Sequence, residues 1–207
     1  MEVITNPDSF LRKRLEKRFW EAFTVVIVAA VISSLASYVV APIILENMRE
    51  RISEVGGLTE EQIEAMLNMT YFGMLLSPFI ATLVFWLIIS AILYVLSALF
   101  GGEGSFGNLT KLVAYSYIPV IILSPISIYL SYETAQQIFY GLKSSLLPNA
   151  ILRIATTLWQ AVYWTFAVKN ARNLDLRNSA IVAGIVFIAY ILLTMSSLVF
   201  SSLSGTL

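Results

Sequence analysis

The residue types that most often carry catalysis are missing from this chain. Its 207 residues include no histidine and no cysteine. That removes the commonest general base, the commonest neutral metal ligand, the thiolate nucleophile and any disulfide. A Ser-His-Asp triad or a zinc hydrolase cannot be assembled from it, and an isolated serine without a base has no route to activation. No enzyme, cofactor or metal centre is expected. Three groupings still invite a chemical reading. Glu46, Glu50, Glu54, Glu60, Glu61 and Glu64 gather in one segment, and carboxylates suit calcium or magnesium. Their spacing matches no ligand loop, so a solvated acidic face is the expectation. Gly101-Gly102-Glu103-Gly104-Ser105-Phe106-Gly107 looks at first like a phosphate cradle. It lacks the Gly-Lys-Ser/Thr ending that supplies the lysine and the metal-binding hydroxyl, and it follows an apolar run instead of a strand. It reads as a tight turn with positive φ, with Phe106 able to dip into a headgroup layer. Finally, Arg153, Thr157, Gln160 and Trp164 form a polar row at helical spacing. An intramembrane glutamine is either a functional group or interhelical glue.

The elements that must position these groups are set by composition. Hydrophobic residues make up 58% of the chain and charged ones 13%, about half the roughly 25% of a soluble domain, and mean hydropathy is +0.80. A soluble domain, a disordered tail and a nucleic-acid binder are excluded as classes. The expected fold class is an all-α polytopic membrane protein. A membrane helix needs about 20 apolar residues, and the gaps between charges place spans at about 22–45, 71–100, 112–132, 148–168 and 179–203. The fourth is the shortest gap. It reaches crossing length only if Pro148 opens the helix and Arg153 snorkels outward; the alternative is a four-span chain with a re-entrant segment around 133–153. The first span is too long for a signal-peptide core and no small-residue cleavage site follows it.

Net charge is zero, with 13 cations and 13 anions, but their placement is uneven. Arg12, Lys13, Arg14, Lys17 and Arg18 precede span one, Lys111 follows span two, and Lys169, Arg172 and Arg177 lie between spans four and five. Arg49, Arg51, Lys143 and Arg153 fall on the opposite side. The positive-inside rule then puts the N-terminus in the cytoplasm and, with five spans, the C-terminus outside. Asn6-Pro7 is a helix start, a cap followed by proline at the first position. Leu11, Leu15 and Phe19 share a face beyond it, so residues 1–19 read as a basic interfacial helix meeting anionic headgroups, or as a topology signal, and the two are compatible. The external segment, 46–70, holds a second start, that of a short helix from 59: Thr59 with Gln62 is a capping box and Leu58 with Ile63 its staple.

Small residues in spans one and five (Ser33, Ser37, Ala41; Ala30, Ser34; Ala183, Tyr190, Thr194, Ser197, Ser201) suit close helix packing. Span three carries Tyr115, Ser116, Tyr117, Pro119, Ser124 and Pro125, and span two carries Ser77-Pro78. Each proline removes a backbone donor, so kinks are expected. Two functional readings follow. In the first, the basic N-terminal helix, the glycine loop and Arg172 with Arg177 contact anionic lipid or another membrane protein, and the chain is a scaffold. In the second, Pro78, Pro119, Pro125, Arg153 and Gln160 line a cavity of a small transporter or channel component. No acidic residue lies deep in a span and no inverted repeat is evident, which weakens ion-coupled transport.

Phe100-Gly101-Gly102-Glu103-Gly104-Ser105-Phe106, Ala114-Tyr115-Ser116-Tyr117-Ile118-Pro119, Asn6-Pro7-Asp8-Ser9-Phe10 and the run from Trp159 to Ala180 together resemble the Yip (Ypt/Rab-interacting protein) domain family of five-span membrane proteins. The resemblance covers essentially the whole chain. It implies a cytoplasmic N-terminus, five spans and an external C-terminus. Eukaryotic members are associated with Rab-type GTPases, vesicle trafficking and membrane shaping. This chain does not show their long hydrophilic N-terminal domain or its Asp-Leu-Tyr-Gly-Pro-like motif, which counts against GTPase binding. It looks like the short prokaryotic branch, found in a cell membrane.

Overall fold

The computed structural model describes residues 2–142 and 146–204. Lys143 and the side chains of Ser197 and Ser201 lie outside the described residues. All regular structure among the described residues is helical: α1 (Glu2–Thr5), α2 (Pro7–Arg14), α3 (Phe19–Val55), α4 (Glu60–Leu99), α5 (Phe106–Ala114), a 3₁₀ turn (Tyr115–Tyr117), α6 (Ile118–Phe139), α7 (Leu147–Arg172) and α8 (Leu176–Ser204). Four stretches, Phe19–Glu54, Glu60–Leu99, Phe106–Phe139 and Leu176–Thr194, are long and apolar enough to cross a membrane. By length α7 would also qualify, at about 39 Å for 26 residues. Arg153, Thr156, Thr157, Gln160 and Thr165 make it more polar than the other four.

Local rules explain most boundaries. Asn6 accepts the Ser9 N–H at 3.1 Å, with Pro7 first in α2. At α4 the Thr59 N–H donates to Gln62 Oε1 at 2.9 Å and the Gln62 N–H returns to Thr59 Oγ1 at 3.3 Å, the reciprocal capping box. Ser105 accepts the Asn108 N–H at 3.2 Å to open α5, and Asp175 accepts the Asn178 N–H at 2.8 Å ahead of α8. Pro148 sits in the first turn of α7, one residue after its start at Leu147, where the missing N–H costs nothing.

Two expectations about helix extent are corrected. The N-terminal helix does not run on to Phe19: α2 ends at Arg14 and α3 begins at Phe19. Lys111 supplies the reason, because its ammonium donates to the carbonyls of Leu15 and Lys17 and so satisfies acceptors that a continuing helix would have used. Leu11 is buried in protein, Leu15 half-buried and Phe19 exposed, so the three apolar positions do not form one lipid-facing stripe. The helix beginning after Thr59 is not a separate short element. It continues as α4 for 40 residues, about 60 Å, and α3 runs for 37 residues through Pro42. Both exceed the roughly 30 Å of hydrocarbon. Span three is split by a 3₁₀ turn ahead of Pro119, whose ring clashes with the Tyr115 carbonyl four residues back. That carbonyl accepts the Ile118 N–H instead. Pro125 and Pro78 stay inside α6 and α4. The Thr82 hydroxyl donates to the Pro78 carbonyl at 2.8 Å.

The chain packs as two compact units. The first comprises Met1–Val25, Trp86–Pro119 and Ile154–Leu207; the second, Val26–Phe85 and Val120–Arg153. The first holds Leu11, Leu93, Leu109, Leu112, Val113, Tyr163, Val168 and Val182 fully buried. In the second, Ala29, Ala30 and Ala41 are fully buried, and the Ser34 hydroxyl donates to the Leu75 carbonyl at 2.8 Å. These are the close approaches that small residues permit.

Candidate functional site

Every segment that carries the resemblance meets in the first unit. The glycine loop is one part. Gly101 and Gly104 adopt φ of 79° and 125°, the positive-φ turn its composition suggests. The loop is held by Arg172, which is 3% exposed. Arg172 Nε donates to Ser97 Oγ at 3.0 Å, Nη2 to the Gly102 carbonyl at 2.5 Å and Nη1 to the Gly104 carbonyl. The guanidinium also lies over the Tyr94 ring, 4.1 Å from its centroid, and the Glu103 N–H donates to the Arg172 carbonyl at 2.8 Å. A Cβ on Gly102 would strike the Ser97 carbonyl, and one on Gly104 the Ala171 carbonyl. Arg172 is therefore not the exposed lipid or partner contact expected of it: its planar fork is spent on the loop. Ser105 and Phe106 are exposed, and Phe106 meets Tyr94 edge-on at 5.5 Å.

The N-terminal segment is the second part. Asp8 accepts from Lys169 Nζ at 2.5 Å and from Asn170 Nδ2 at 2.8 Å. Burial would raise the Asp8 carboxyl, but these two hydrogen bonds and the charges of Lys169 and Arg12 outweigh it and hold it below the usual carboxylate value. Phe10 meets Tyr115 edge-on at 5.3 Å, with the Arg14 guanidinium over both rings, and the Tyr163 hydroxyl donates to the Val3 carbonyl. Of the basic residues, Lys13 pairs with Glu2 and Arg14 with Glu21. The Lys13 ammonium holds the Glu2 carboxyl below its usual value. Arg12, Lys17, Arg18 and Arg177 are exposed and form no ion pair among the described residues.

The Tyr115–Tyr117 turn is the third part. Tyr115 and Ser116 are buried and Tyr117 is half-buried. Trp164 Nε1 donates to Ser116 Oγ at 3.0 Å, and Trp86 Nε1 donates to the Thr110 carbonyl at 3.0 Å. Pro119 is buried at the start of α6 and Thr157 is buried on α7, while Gln160 is half-buried. Asp8, Lys111, Lys169, Asn170, Ser97 and Trp86 do this work, yet none drew attention as a site residue. Their one sequence signal is position: each except Trp86 lies within or beside a family-like segment.

The proposed cavity residues divide between the units: Pro119 and Gln160 belong to the first, Pro78, Pro125 and Arg153 to the second. Two clefts described in the second unit have other linings. One, about 390 Å³, is bounded mainly by Ile43, Ile44, Met48, Ile138 and Phe139 with Asn149; Asn149 Nδ2 donates to Thr134 Oγ1 at 2.7 Å. The other, about 400 Å³, lies by Glu46, Arg49, Glu64 and Tyr71. Arg49 there pairs with Glu60 at 2.8 Å and with Glu64. The acidic segment is thus partly neutralised from within, and no three carboxylates gather among the described residues.

Comparison with known proteins agrees with this geometry. The chain is 30% identical over 142 residues to an uncharacterized protein of Methanocaldococcus jannaschii, a match covering 66% of this chain and 93% of that archaeal protein. No solved structure matches. The Yip1 domain, by contrast, matches residues 1–198, a range that takes in the docked N-terminal helix, the arginine-held glycine loop and the Tyr-Ser-Tyr turn, so the chain belongs to the Yip1 domain family of multi-pass membrane proteins.

Proposed function

We propose that this protein is a non-enzymatic scaffold that organises lipid or binds another membrane protein at the cytoplasmic face of a prokaryotic cell membrane. In this reading the chain crosses five times, with the N-terminus inside and the C-terminus outside, and α7 is the fourth span. The observation that carries the reading is the joining of three cation-bearing segments in the first unit: the N-terminal helix to α7 through Asp8 and Lys169, the linker after α2 to α5 through Lys111, and the end of α7 to the glycine loop through Arg172. Fastening of this kind supports a reading in which both ends of the α5-to-α7 excursion lie on one side of the bilayer and α7 is the return crossing. The same fastening makes a rigid surface, and rigid surfaces bind with less ordering cost. The absence of histidine and cysteine supports a role without covalent or acid–base chemistry.

A photo-reactive residue placed at exposed Phe106 tests this in native membranes. It should cross-link to a defined membrane protein or lipid class, with the protein partner recovering this chain in the reciprocal experiment. Solute flux in proteoliposomes above that of protein-free vesicles would overturn the scaffold reading in favour of the transport one.

A further inference from the structure

The five cations of the N-terminal segment are not equivalent, and their sorting identifies a ligand. Lys13 is neutralised by Glu2 at 2.8 Å, and Arg14 by Glu21 at 3.1 Å. Arg12, Lys17 and Arg18 project into solvent without an ion pair among the described residues. The backbone that bears Lys17 and Arg18 is fixed by an unusual device. Lys111, 8% exposed, points its ammonium at main-chain carbonyls, donating to Lys17 at 3.1 Å and also to Leu15. The Lys17 N–H donates to Arg14, and the Glu21 N–H to Arg18, both at 3.2 Å. A buried charge clamps a two-residue basic turn, so the turn keeps its shape without a ligand.

The next residues set the level of this turn. Phe19 is exposed, and Trp20 is 71% exposed. Both lie in the first turn of α3, a helix long and apolar enough to cross the membrane. An exposed indole in that place is an interface residue, with its ring among headgroups. Lys17 and Arg18 immediately precede these two aromatic residues, which sets them at the depth of lipid phosphates, and Arg12 adds a third exposed cation from α2. We infer that Arg12, Lys17 and Arg18, with Trp20, form a binding surface for anionic phospholipid headgroups. Charge complementarity selects the anionic lipid over the zwitterionic one, and Trp20 selects a membrane-borne phosphate over a free one. The surface rests on the reading of the N-terminal segment as membrane-facing.

The full-length protein in phosphatidylcholine nanodiscs provides the test, with phosphatidylglycerol titrated in and bound lipid counted by native mass spectrometry. Wild type should retain phosphatidylglycerol in preference to phosphatidylcholine, less so in high salt. At about fivefold per charge, the Arg12→Gln/Lys17→Gln/Arg18→Gln variant should bind it roughly a hundredfold more weakly. A Glu2→Gln/Lys13→Gln control, which removes an internally neutral pair, should match wild type. Equal retention by wild type and the triple variant overturns the surface, as does inorganic phosphate competing as well as the lipid. The flux measurement above is independent of headgroup retention. A failure here with no flux therefore removes this surface and leaves the scaffold reading standing, whereas flux removes the scaffold itself.

Discussion

At the scale of single residues, Arg172 shows what separates a charge from its function. Its guanidinium is buried and is met by a hydroxyl, two carbonyls and an aromatic face, with no carboxylate among them. Those neutral partners are worth having only because they fit five donors in a fixed plane. Arg172→Lys keeps the charge and loses the fork, so it should destabilise the protein by roughly 1.5–3 kcal/mol, the scale of a hydrogen bond to a charged group, seen as a lower thermal midpoint in detergent. The two loop glycines should separate in the same assay. Gly101→Ala faces open space at φ 79° and should cost about 1–2 kcal/mol of left-handed strain. Gly104→Ala adds a collision with the Ala171 carbonyl and should cost more; equal costs would mean that the loop is not held against α7. The glycines were legible because positive φ leaves a compositional mark. Burial of Arg172 was not, because a basic residue at a helix end reads as exposed until the loop that covers it is known.

At the scale of elements, what the chain encodes locally was legible and what it encodes by tertiary contact was not. The Asn6 and Thr59 caps and the break ahead of Pro119 each rest on neighbours within four residues. The end of α2 rests on Lys111, which no local pattern connects to Leu15, and Pro42 is carried inside α3 without ending it. The docking of α2 has a measurable pH signature. Asp8 is held below its usual value by Lys169, Asn170 and Arg12 against the opposing effect of burial. A depressed carboxyl contributes stability above its unfolded value, near 4, and loses it as pH falls through the folded value. Hydrogen-exchange protection of α2, corrected for intrinsic rates, should therefore hold at pH 6 and fall below about pH 4. Asp8→Asn should lower it at pH 6 and remove the dependence on this group. Protection in that variant equal to wild type at pH 6 would show that Phe10 and Leu11 alone fix the helix.

At the scale of the whole molecule, hydropathy identifies the class and four helices long and apolar enough to cross, while the fifth crossing proposed above would use the more polar α7. The polarity of α7 has a visible use: Thr157 and Trp164 are buried, Trp164 bonds to Ser116, and Lys169 and Asn170 hold Asp8. A helix whose polar groups are satisfied by protein needs fewer apolar residues to cross lipid than one surrounded by it, so a count of apolar residues alone does not decide against α7 as the crossing proposed above. The chain contains no cysteine, so single cysteines report topology without background. Cysteines replacing Ser9, Ser105 and Asn178 should react with a membrane-impermeant maleimide only after the cytoplasmic face is opened. One replacing Gly57, in the turn between α3 and α4, should react in intact cells, as should one added after Leu207. Labelling of the Asn178 cysteine in intact cells and of the added C-terminal cysteine only from the cytoplasm, with the other three unchanged, would make α7 a segment that enters and leaves by one face. The fastening of α2 and the glycine loop to its C-terminal end would then no longer define a side.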